Sequence, residues 1–122
     1  MTTPEPAALV AVDSDPLKQI VDRNQVWPRM AAKYGVENPV PPWKTSLDGF
    51  CDALDHAACD TPAPSFKERR DEEDALSATV YSDLPYPESQ LVSLAHSLMV
   101  RGIITEGELR QRISAVRQRL ED

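Results

Sequence analysis

Cysteine and glycine are scarce in this chain, with two and four residues, and no apolar run approaches the roughly 20 residues that a membrane-spanning helix needs. Cys51 and Cys59 lie eight positions apart. On one helix, rise alone would separate them by roughly 12 Å, too far for a disulfide without a break in the helix. Two cysteines also make no disulfide framework. A metal centre would need more ligands, and the spacing of Cys51, His56 and Cys59 does not bring three donors together. No metal or cofactor is expected in this chain. There is no glycine-rich phosphate loop and no serine-histidine nucleophile motif. Basic residues are in deficit, 13 against 20 acidic, giving a formal charge of −7. That balance argues against a general nucleic-acid binder, which needs a phosphate-neutralising surface, and reads as a solvated acidic exterior. The N-terminus has acidic residues and lacks a basic-then-apolar leader pattern. A cytoplasmic protein without a membrane partner is expected.

Proline, by contrast, is plentiful: 11 residues among 122, within a composition 27% charged and 41% hydrophobic. Length and composition predict one soluble all-α domain of three to four helices, interrupted by irregular segments. Such a core is modest, so part of its stability is expected to come from a partner.

The most regular apolar spacing lies between Ser82 and Leu120. Leu91, Leu94, Ala95, Leu98 and Met99 recur at helical intervals until Gly102 ends the run. Thr105 with Glu108 three residues on is a capping-box signature. Leu109, Ile113, Val116 and Leu120 then form one stripe. An αα-hairpin with both stripes facing inward is predicted. Asp83 is the expected cap of its first helix, with Pro85 in the first turn. His96 lacks a sequence-visible catalytic partner and reads as structural or exposed.

Upstream, residues 1–44 read as an extended N-terminal arm carrying one helix and a proline-rich linker, and residues 45–122 as the helical domain proper. Residues 1–13 are weakly patterned and read as a tail or strap. Ser14 or Asp15 caps a helix opened by Pro16 and kinked or divided at Pro28, with Gly35 as its stop. Residues 36–44, VENPVPPWK, read as an extended connection that packs Trp43 on its own domain or on a partner. A helix from Thr45 or Ser46 turns Leu47, Phe50, Cys51, Leu54 and Ala58 inward. Ser65 and Glu68 then form a second capping-box signature. The helix they open carries Phe66, Arg69 and Arg70 ahead of Asp71, Glu72, Glu73 and Asp74. This charge run reads either as a solvated face with weak local ion pairs or as a site for forked guanidinium recognition of paired oxygens.

The stretch LPYPESQLVSLAHSLMVRGIITEGELRQRI resembles the N-terminal helical half of nitrile hydratase β subunits, and the small separate β subunit of thiocyanate hydrolase. The resemblance is carried by Glu68-Arg69-Arg70, Val80-Tyr81 and Pro85-Tyr86 in order, followed by an apolar helix, a short turn and a Thr-x-x-Glu-Leu helix. It covers about residues 45 to 120. It implies a helical subunit of a hetero-oligomeric, heterotrimer-type enzyme that hydrates a nitrile to an amide. The cofactor, Co(III) or less often Fe(III), would sit in a partner α subunit bearing Cys-x-x-Cys-Ser-Cys, a motif missing here. Arg70 takes the position of the arginine that holds the oxidised cysteine oxygens, and Tyr86 that of a tyrosine lining the substrate cavity. Phe66, Arg69 and Gln90 fall at pocket positions. The barrel half of ordinary β subunits is missing, which implies a separate β-barrel subunit and an inactive isolated chain. Pro87 replaces a frequent second aromatic, and Arg69 and Gln90 make the pocket more polar. Two alternatives follow from the same resemblance: the thiocyanate hydrolase small subunit, or a non-enzymatic nitrile hydratase activator acting as a metallochaperone-like escort.

Overall fold

The computed structural model describes residues 5–58 and 61–121. Among these residues there are seven helices and no strand: α1 (Pro6–Ala11), α2 (Asp15–Arg23), α3 (Trp27–Tyr34), α4 (Lys44–Ala57), α5 (Phe66–Ser77), α6 (Glu88–Val100) and α7 (Glu106–Glu121). None of them is long and apolar enough to cross a membrane.

The helix count corrects the expectation of three to four. One additional helix, α1, lies in the stretch read as a tail or strap, and another, α3, comes from division of the helix read between Ser14 and Gly35. Pro6 sits in the first turn of α1, where its missing amide costs no helical hydrogen bond. Leu9 on that helix is buried with Leu17, Leu76, Tyr81 and Val92. Of the kink or division expected at Pro28, the structure shows the division. Asn24 closes α2 in the left-handed conformation at φ 52°, and Pro28 opens α3 instead of bending a longer helix. Gly35 then ends α3 at φ 69°, a value glycine adopts without a Cβ penalty. Ser14 caps α2 through Leu17 N.

Helices α5 and α6 form the central pair. Leu76 meets Val92 in the main core, joined by the half-buried Ala75, Ala95 and Met99. A second cluster, Leu47, Leu54, Leu94 and Leu98, attaches α4 to the other flank of α6. Both capping boxes form: Ser65 Oγ accepts from Glu68 N at 3.2 Å, and Thr105 Oγ1 accepts from Glu108 N at 3.1 Å. Helix α6 starts later than expected, at Glu88 after Pro87, so neither Asp83 nor Pro85 has its predicted role.

The predicted hairpin is corrected as well. After Gly102, in the left-handed region at φ 73°, α7 packs chiefly against α2 and not back along α6. Leu109 joins the main core, while Val116 and Leu120 are 42% and 82% exposed, so the apolar stripe is covered only at its start. Glu106 Oε1 accepts from Asp15 N at 3.1 Å and ties the two helix starts together. Glu88 does the same for α3, accepting from Trp27 N at 2.7 Å; a carboxylate at a helix N-terminus also meets the positive end of the helix dipole.

Candidate functional site

Helix α5 presents three site residues from its first turns. Phe66, Arg69 and Arg70 lie three and four positions apart, so they share one face. The segment before α6 supplies Tyr86, whose peptide bond to Pro87 is cis, and the first turn of α6 supplies Gln90. All five residues line one cavity of about 160 Å³, together with Glu73. Phe66 and Tyr86 are 61% and 64% exposed.

Helix α4 forms the polar backing of this site. Asp55 pairs with Arg69, whose guanidinium lies 5.7 Å from the Phe66 ring centre. Lys44 pairs with Asp48, donates to Gln90 Oε1 at 3.1 Å and lies 5.3 Å from the Tyr86 ring centre. Partial burial works against the charge on Lys44, but Asp48 and then Tyr86 outweigh it and hold the ammonium above its ordinary pKa. Glu73 is shifted up from the usual carboxylate value by burial first and by Asp74 second, with Arg70, Lys44 and Arg69 pulling the other way.

The two adjacent arginines therefore differ in state. Arg69 is engaged by Asp55 and mostly buried, with its Nε making no hydrogen bond among the described residues. Arg70 is exposed at the cavity and forms no hydrogen bond or direct ion pair with any described residue. Its charge is felt by Glu73 across the cavity, but a planar guanidinium whose N–H groups make no hydrogen bond within the described residues is suited to paired oxygens brought from outside.

Sequence reasoning missed Glu73, Lys44 and Asp55. Glu73 was legible: it follows Arg69 by four positions and Arg70 by three, which puts it on their face. Lys44 and Asp55 come from a different helix, and no local pattern joins them to α5 or α6. A larger cleft of about 410 Å³ lies between α4 and α6, lined by Trp43, Leu47, Phe50, Leu91 and Leu98 among others. Its walls are almost entirely apolar, Ser46 being the one hydroxyl-bearing residue among them, and they bring no charged side chain. Cys59 lies outside the described residues. His56 is exposed, its Nδ1 2.9 Å from the Asp52 carbonyl oxygen. No group of three or more His, Cys, Asp or Glu side chains fit for a metal occurs among the described residues.

Searches against known protein families, curated proteins and solved structures found no match to this chain.

Proposed function

We propose that this chain is the β-type helical subunit of a multisubunit, cytoplasmic nitrile hydratase, completing the active site of a partner α subunit that carries cobalt or iron. The observation that carries this reading is the convergence of Phe66, Arg69, Arg70, Tyr86 and Gln90 on one cavity, with Arg70 exposed there and its N–H groups available to donate to an external partner. These residues come from two helices and a connecting segment, and the sequence resemblance singles out the same five.

In this reading the metal, when bound in the partner, supplies Lewis-acid activation of a nitrile or of water. Arg70 donates its forked N–H groups to the oxygens of oxidised cysteines on that partner and fixes their orientation. Its exposure in the single chain fits such a docking role. Tyr86 and Phe66 provide the walls of the cavity, and Gln90 offers a polar contact to the substrate. Arg69, held by Asp55, supports the wall and does not reach outward. The apolar cleft with exposed Phe50 and Leu91 is the kind of surface a subunit interface covers. A separate barrel-forming chain completes the assembly, and the isolated chain is inactive.

A second reading, the small subunit of a thiocyanate hydrolase, is favoured by one feature: the cavity wall made polar by Arg69, Gln90 and Glu73. Coexpression of the full chain with α-type and barrel-type chains from neighbouring genes tests the assignment. Native mass spectrometry and metal analysis should find a stable complex with cobalt or iron in another chain, and that complex should convert a nitrile to its amide. Release of carbonyl sulfide from thiocyanate would select the second reading. Only transient association with an immature α-type chain would make the protein an escort and remove it from catalysis.

A further inference from the structure

We infer that Lys44 is a positioning residue that turns the Gln90 amide so that its N–H donors serve the cavity, which then prefers ligands bringing a hydrogen-bond acceptor to that wall. The ligand part rests on the nitrile hydratase reading; the orientation of Gln90 does not.

Lys44 opens α4, and its Nζ lies 3.1 Å from Gln90 Oε1. An ammonium has three donors and no lone pair, so the Gln90 atom facing it is the carbonyl oxygen. The amide orientation thus follows from chemistry and not from the near-equal shapes of oxygen and nitrogen. Asp48, one turn along α4, holds the same ammonium, and the Tyr86 ring covers it. The Lys44 side chain is only 13% exposed, unlike a freely solvated surface lysine. With Oε1 occupied, Gln90 Nε2 makes no hydrogen bond with any described residue, and Gln90 lines the cavity beside Arg70 and Glu73. Two donors therefore stand on the same cavity. A ligand that places an acceptor there gains a hydrogen bond, and one that places a C–H group there leaves a polar amide unpaired.

The full-length chain labelled with nitrogen-15 provides the first test. The Gln90 side-chain amide pair, assigned by its loss in Gln90→Leu, should move toward free-glutamine shifts in Lys44→Met while the unfolding midpoint stays near that of the parent. Lys44→Arg should restore it. An unmoved Gln90 pair in folded Lys44→Met would overturn the positioning role. In the assembled complex, 3-cyanopyridine and benzonitrile form a matched pair with and without a ring acceptor. Lys44→Met should raise KM for 3-cyanopyridine about three- to tenfold more than KM for benzonitrile, the size of one hydrogen bond. Equal effects on both substrates would overturn the acceptor preference. A complex that hydrates neither nitrile would count against the nitrile hydratase reading, and the Gln90 spectrum would still decide the role of Lys44.

Discussion

Arg101 and Glu72 face each other as a two-pronged ion pair between α5 and the end of α6, at 2.7 and 2.5 Å, with 3% and 4% of their side-chain surface exposed. Arg101 also reaches Glu68 at 3.3 Å and the Ser97 carbonyl at 3.2 Å. Hydrogen bonding to Glu72 leads the causes that hold the guanidinium above its ordinary pKa, against the cost of burial.

Breaking this pair from one side leaves a buried charge without its partner. Arg101→Met should therefore cost about 3–5 kcal/mol. The double variant Arg101→Met with Glu72→Met should lose less than either single one, because two apolar side chains of similar length remove both desolvation penalties. Urea unfolding of the four proteins forms the cycle. Additive losses would show that the two residues act independently, contrary to the geometry.

His96 imposes a pH dependence. It is 1% exposed, and its Nε2 lies 2.8 Å from the Leu9 carbonyl oxygen, so Nε2 carries the proton and donates. Tyr81 then donates its hydroxyl proton to Nδ1 at 2.7 Å. Burial lowers the His96 pKa below 6.5, against the Leu9 hydrogen bond and Glu72, which act in the other direction. The folded protein binds this proton less readily than the unfolded chain. Its contribution to stability is therefore full above pH 6.5 and declines as pH falls from there toward the folded-state pKa. Ring chemical shifts of His96 should report a titration midpoint below pH 6.5. A midpoint of titration at or above that pH would contradict the buried Tyr81–His96–Leu9 chain.

Leu98 tests the second core. It is 4% exposed and packs with Leu47, Leu54 and Leu94 against α4. Leu98→Ala should cost about 2–5 kcal/mol, the range for a large side chain removed from a close-packed site. Leu120→Ala, at 82% exposure, should change stability by no more than about 0.5 kcal/mol. Equal unfolding midpoints for the Leu98 variant and the parent would contradict its place in the core.

What was legible in the sequence was local. Ser14, Ser65 with Glu68, and Thr105 with Glu108 cap helices because a cap and its amide are within three residues of each other. The helical spacing of α6 was also legible, but its stripe did not show that Leu91 stays 41% exposed or that Val92, Ser93, His96 and Ser97 are buried as well, because two clusters flank this helix. Three kinds of error came from partners distant in sequence. The stripe on α7 showed an apolar face but not that α2 covers its start. Glu88 caps a helix 61 residues upstream, and Arg101 meets Glu72 across 29 residues, so neither bond leaves a local pattern. Residues 6–11 form too short a segment for a helical period to emerge, and α1 gains its place from burying Leu9. At the candidate site, Phe66, Arg69, Arg70, Tyr86 and Gln90 were named from the sequence. Their common cavity and the backing from Lys44 and Asp55 emerge only when α4 is folded against α5 and α6.

Arg70 gives the sharpest separation between fold and function. It is exposed and without a hydrogen-bond partner among the described residues, so Arg70→Lys should shift the unfolding free energy of the chain by no more than about 0.5 kcal/mol. The charge is kept and the planar fork is lost, which matters only where two oxygens are held together. In the assembled complex the same change should therefore lower turnover or weaken assembly, measured as amide formation per metal and as the fraction of intact complex by native mass spectrometry. Arg70→Met should lower both further, because it removes the charge as well. Unchanged turnover in a fully assembled Arg70→Lys complex would take this arginine out of the active site, whatever its place beside the cavity.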